Sequence, residues 1–287
     1  MVDLELSWQA AAGTAVALGA VTAGLRLTRR SALTSAAVFT QETALVLALF
    51  ALWQFAGSFA VMGPGGALAR SRWIWRFERT LHLPSEAALQ RVFLPHPLII
   101  EFLNLYYASL HFPVLITCMI WLFVAHRDQY RRLRTTLVAF TAACLLIQLI
   151  PVAPPRMLPG IGMVDTAVRY GQSVYSTHAG FDPDQLSAMP SVHVGWAILV
   201  AISVIGAART RWRWLILLYP VLTTLAVVVT ANHFWLDGIV AAAVLCAVLV
   251  IQNGGRRLIA AHADSRPPAQ QSSADCPADA GLPAIGR

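Results

Sequence analysis

The sequence predicts an all-α fold: a polytopic membrane helix bundle with six core transmembrane helices and an additional helix at the N-terminus. Three observations carry this. Of 287 residues, 57% are hydrophobic and only 12% are charged, which is more apolar surface than a water-soluble core of this length can bury. Apolar stretches long enough to cross about 30 Å of hydrocarbon recur along the chain. Short arginine-rich connections separate alternate stretches, as they do when spans alternate in direction.

The first stretch, Ser7 to Leu25, is the weakest: it is rich in alanine, glycine and threonine, and either spans the bilayer or lies at its surface. Asp3 and Glu5 precede it and Arg26, Arg29 and Arg30 follow it, a polarity opposed to that of a cleavable signal peptide. Further spans are expected at Ala36 to Met62, Pro97 to Ala125, Thr135 to Ile150, Pro190 to Ala207, Trp214 to Thr230 and Leu236 to Ile251. The organisation expected is an N-terminal helix and basic loop over 1–35, a membrane-embedded bundle over 36–254, and a disordered cytoplasmic tail over 255–287. The tail is rich in proline, alanine, serine and aspartate, without an apolar period.

Arginines at 26–30, 127–134, 209–213 and 256–257 fall on one side of the alternating spans. The positive-inside tendency makes that side cytoplasmic. The segments 63–96 and 151–189 and the turn at Asn232 to Trp235 then face outward across a cell membrane. Arg70, Arg72, Arg76, Arg79 and Arg91 run against this count. They lie beside Trp73, Ile74, Trp75 and Phe77, a mixture that predicts an amphipathic interfacial helix among lipid headgroups.

All 21 basic residues are arginine, and the net charge of +7 reads as a topology signal; no nucleic-acid partner is expected. Cys118, Cys144 and Cys246 fall in apolar spans and Cys276 in the polar tail, without metal-type spacing, so neither a disulfide nor a zinc site is expected.

Titratable groups at membrane depth are costly and mark function. Here they come as Met189-Pro190-Ser191-Val192-His193 and Asn232-His233-Phe234-Trp235-Leu236-Asp237, with Arg156 in Ala153-Pro154-Pro155-Arg156-Met157-Leu158-Pro159. His233 and Asp237 are four apart, so a helix stacks them on one face, where the carboxylate orients the ring. Such a pair also serves as a plain structural hydrogen bond. Arginine offers a bidentate fork for phosphate oxygens, although it also anchors span ends, and Ser191 with the amides of a helix N-terminus completes an anion cradle.

These groups suit phosphoryl transfer. His233 attacks phosphorus, Asp237 orients it, and His193 protonates the leaving oxygen on the opposite side. The scheme needs no metal and no cofactor. Pocket candidates are Asn104, Tyr107 and His111, which share a stripe with Glu101 on the third span, then Gln148 and, in the following loop, Arg169 and His178. The stripe residues would equally well bond neighbouring helices.

In their order and spacing, Arg156 with Pro159, then Pro190, Ser191 and His193, then His233 and Asp237 resemble the type-2 phosphatidic acid phosphatase superfamily. The likeness spans roughly Pro97 to Ile251 and is closer to the branch containing inositol phosphorylceramide synthases. It implies a lipid phosphate substrate and a phosphohistidine intermediate, resolved by water in a phosphatase or by a hydroxyl in a headgroup transferase. The chain departs from the family pattern at Leu149 and Val227, where phosphatases often carry lysine and arginine, and at Val192, usually glycine. A non-catalytic lipid-binding or transport bundle is the alternative that uses the same polar groups without turnover.

Overall fold

A computed structural model describes residues 7–28, 33–57, 64–172 and 183–264. The described residues are helical apart from loops and a single bridge between Val152 and Ser187.

Helix α1 (Trp8–Leu27) opens on Ser7, whose hydroxyl accepts from the Ala10 amide, one of the orphan donors of a helix start. It packs on α2 (Thr34–Gly57) through a 2.8 Å bond between the Thr22 and Thr40 hydroxyls. Glu42 of α2 accepts from the Tyr130 hydroxyl at 2.8 Å and pairs with Arg134. A carboxylate among apolar helices is tolerable because it meets both a donor and a cation.

The segment expected at the lipid surface forms two helices, α3 (Ala67–Thr80) and α4 (Glu86–Phe93). Helix α3 is two-faced: Ser71, Ile74 and Glu78 are buried, while Arg72, Trp73, Arg76 and Phe77 are exposed.

The third expected span is not one straight helix. It divides into α5 (Pro97–Ser109) and α6 (His111–Ala125), bent by 52°. Pro113 explains the break, because a continuous helix would need its missing N–H to bond the Ser109 carbonyl. Pro220 acts alike in the sixth span, where a 3₁₀ stretch over Arg211–Leu217 precedes the regular helix.

Beyond α6 come α7 (Arg127–Gln148), the short α8 (Thr166–Arg169), α9 (Val192–Ala207), α10 (Leu218–Val229) and α11 (Trp235–Asp264). Among the described residues, α1, the run Arg211–Val229 and the run Trp235–Arg257 are each long and apolar enough to cross a membrane, and the bent α5–α6 pair adds a fourth. The expected six-plus-one count also draws on α2, α7 and α9. Of these, α9 and the apolar part of α2 are shorter, and α7 opens on Arg127, Arg131, Arg132 and Arg134. Helix α11 continues past the boundary expected at 255, because Gly254 and Gly255 do not end it and the first prolines come only at Pro267 and Pro268. The remainder of the expected tail lies outside the described residues.

Two apolar clusters position the site. One joins α6, α7, α9 and α11 through Leu122, Leu133, Phe140, Cys144, Leu199, Val200, Ala241 and Leu245. The other joins α5 and α10 through Ile100, Leu103, Tyr106, Ala226 and Val229. In the first, α7 approaches α9 so closely that a Cβ on Gly195 would collide with the Phe140 ring, which is fully buried. Gly195 lies two residues after His193, so this contact sets the depth of the histidine. We expect Gly195→Ala to cost about 1–3 kcal/mol by overpacking, seen as a lower melting temperature in detergent, and Phe140→Leu in the same chain to recover part of it.

Candidate active site

Three chain segments meet at one end of the bundle: the turn after α7, the start of α9, and the link from α10 to α11. The link is shaped by Ala231, whose φ of 58° is left-handed, a conformation costing about 1–2 kcal/mol for a residue with a Cβ. It brings the Asn232 and His233 amides onto one acceptor, the Val227 carbonyl, at 3.0 and 3.1 Å. The Ala231 carbonyl accepts from the Arg156 amide at 3.0 Å, so backbone alone clips the first motif to the third.

The His233 ring is 2.7 Å through Nδ1 from the Ala188 carbonyl and 3.3 Å from Asp237 Oδ2. The carbonyl can only accept. Nδ1 therefore carries a hydrogen, and in the neutral ring the lone pair falls on Nε2. Asp237 is fully buried, and its Oδ2 also accepts from the Phe234 amide at 2.9 Å, capping the first turn of α11 with the same oxygen that holds the ring. The Asp237 carbonyl accepts from the Ser191 amide at 3.0 Å. Ser191 in turn caps α9, accepting from the Val194 amide at 3.4 Å. The second and third motifs are thus joined.

His193 faces His233 with ring centroids 5.9 Å apart. It also meets Tyr107 at 4.6 Å and stacks on His111 at 4.5 Å, with 25° between the two imidazole planes. His111 Nδ1 lies 3.1 Å from the Tyr219 hydroxyl. Arg156 donates through Nη1 to Asn232 Oδ1 of the side-chain amide and lies 3.5 Å from Asp165 Oδ2 through Nε. Asn232 completes its amide by donating to the Thr230 hydroxyl at 2.7 Å.

The expected residues thus separate into two groups. His193, His233, Asp237, Ser191, Arg156, Tyr107 and His111 come together. Three pocket candidates do something else. Asn104 is buried and bonds Gln172 at 3.0 Å and Thr166 at 2.8 Å, tying α5 to α8. Gln148 donates to the Ser187 and Pro190 carbonyls at 3.3 and 3.2 Å and braces the loop before α9. Arg169 is exposed at the end of α8. His178 lies outside the described residues. Leu149 caps α7, and Val227 is buried against Val194 and Val228.

Two contributors were missed by reading the sequence. Asn232, beside His233, signals itself by position. Glu78 does not, because it sits among the arginines of α3 and reads as part of a solvated face, yet it is wholly buried and accepts from the Leu236 amide at 2.7 Å.

A helical membrane bundle that gathers two histidines, an aspartate and an arginine at one end has the build of a membrane phosphatase-type enzyme. A family model described as the PAP2 superfamily matches residues 72–251, and the chain belongs to that superfamily. The match runs from α3 into α11 and contains all three motifs. No curated protein and no solved structure matched the chain.

Removing the Asn232 amide strips one partner from Arg156 and one donor from Thr230 in a buried setting. We expect Asn232→Ala to cost about 1–3 kcal/mol, measured as a fall in thermal or denaturant stability in detergent.

Proposed function

We propose that the protein is an integral membrane lipid phosphatase or phosphotransferase acting through a phosphohistidine on a phospholipid or polyprenyl (di)phosphate. The observation that supports this most is the state of His233, whose Nδ1 hydrogen is taken by Ala188 and Asp237 so that Nε2 is the nucleophilic atom. Nε2 attacks phosphorus in line. The imidazolium that forms is stabilised by Asp237. His193, across the site, gives a proton to the leaving oxygen, since attack and departure take opposite sides of phosphorus. Arg156 offers its guanidinium to non-bridging oxygens, with Asn232 and Asp165 holding its plane, and the amides at the start of α9 complete the cradle.

In this reading the site opens at the exoplasmic face of the cell membrane. Arg127 to Arg134 begin α7, whose other end carries the turn with Arg156, and Arg209 to Arg213 lie at the end of α9 opposite His193. The arginine-rich ends are therefore remote from the histidines, as the positive-inside tendency requires of an outward site.

Water or a lipid hydroxyl can resolve the intermediate. Apolar Leu149 and Val227 stand where phosphatases often carry cations, which favours a substrate with less charge at phosphorus. Headgroup transfer, as in the inositol phosphorylceramide synthase-like branch, is thus the second reading.

His233→Ala should abolish turnover of a panel of phosphatidic acid, phosphatidylinositol and polyprenyl diphosphate together with the acid-labile labelled phosphoenzyme. A fully active variant would refute the nucleophile. His193→Ala should slow turnover by about 100- to 10,000-fold, least for substrates with good leaving groups. Sealed vesicles of known orientation, given a membrane-impermeant substrate, test the face: turnover only in inside-out vesicles would reverse it.

A further inference from the structure

Behind the histidines lies a pair of carboxyl groups that the mechanism above does not use. Glu78, in the last turn of α3, is 0% exposed, and Glu86, first residue of α4, is 2% exposed. Glu78 lies one turn beyond Ile74 of α3, which packs with Val152, Leu158, Ala188 and Phe234. The carbonyl of this same Ala188 holds His233.

Each carboxyl has one oxygen in use. Glu78 Oε1 accepts from the Leu236 amide at 2.7 Å, while Asp237 Oδ2 accepts from the Phe234 amide at 2.9 Å. Two of the orphan donors at the start of α11 are thus taken by two different carboxyls. Glu86 Oε2 pairs with Arg79 Nη2 at 2.9 Å, and Arg79 also donates to the Pro84 carbonyl at 3.1 Å. Glu78 Oε2 and Glu86 Oε1 remain buried without a donor, and the two side chains are within hydrogen-bonding reach of each other. Two carboxylates only accept; they can satisfy each other solely through a proton lying between them.

We propose that Glu78 is a positioning residue for the His233–Asp237 unit: kept neutral by a proton shared with Glu86, it caps α11 and fixes Asp237 against the ring without adding a second negative charge. This rests on the reading of His233 as nucleophile.

Glu78 is faced by Glu86 from α4 and by Asp237 from α11, and the cation of Arg79 on its own helix is taken by Glu86. Burial first, then the Glu86 carboxyl, pushes the Glu78 carboxyl up from 4.5 to about 9. The sign follows. Below that pH Glu78 is neutral and the cap intact; above it a bare carboxylate stands against Glu86 and Asp237, repulsion loosens the turn, and activity falls. Because the unfolded chain ionises Glu78 near 4.5, folding stability also declines as pH rises from there toward 9.

The test uses the full chain in proteoliposomes and detergent, with the substrate panel above. Glu78→Ala should lower turnover by about 10- to 100-fold, and Glu78→Gln, whose amide oxygen still accepts from Leu236, should restore most of it and extend activity to higher pH. Glu86→Gln, which offers Glu78 a fixed donor, should shift the alkaline decline to lower pH. Melting measured across the same pH range should lose its slope in Glu78→Gln, whatever the substrate.

A Glu78→Gln protein as slow as Glu78→Ala, or one with the wild-type alkaline limb and melting slope, overturns the shared proton while leaving His233 untouched. Undiminished turnover in His233→Ala overturns the mechanism instead, and the melting arm then still decides the proton.

Discussion

The Ala188 carbonyl and the Asp237 carboxylate both take one hydrogen, that on Nδ1 of His233, and the rest of the site is arranged around that fact. In the neutral ring, a hydrogen fixed there puts the lone pair on Nε2. The carboxylate that shares in this also caps a helix, so its position is set by backbone and not by a flexible side chain. Ala188 belongs to the loop between α7 and α9 and Asp237 to α11. The ring is therefore correctly set only when both parts of the bundle are in place.

Burying these groups is costly, and the surrounding sequence shows how the cost is met. Several polar side chains around the site are bonded twice: Arg156 by Asn232 and Asp165, Asn104 by Gln172 and Thr166, Gln148 by two carbonyls. Close packing supplies the remainder. Gly195 lets α9 settle on Phe140, and Ile74 packs α3 onto Val152, Leu158, Ala188 and Phe234.

Much of this was legible in the chain. Composition and apolar runs gave the helical membrane class, and the motifs singled out His193, His233, Asp237, Ser191 and Arg156, which the fold brings to one end of the bundle. What escaped was decided by tertiary placement. Asn104, Gln148 and Arg169 share a stripe or a loop with the site in sequence terms, but side-chain amides go to whichever buried partner is nearest, and for Asn104 and Gln148 that partner was loop backbone or another side chain. Glu78 escaped for the opposite reason, since beside arginines on an amphipathic helix a glutamate reads as solvated. Pro113 held the signal for the broken span, but hydropathy averages over a single proline.

The break at Leu110 divides the allegiance of one span. Above it, α5 belongs with α4, α8 and α10; below it, α6 belongs with α7 and α9. His111 is the first residue past the elbow, and its ring lies flat on His193. The elbow thus seats His111, and with it the partner stacked on His193, at the junction between the two apolar clusters, so one missing amide hydrogen decides which ring meets the site.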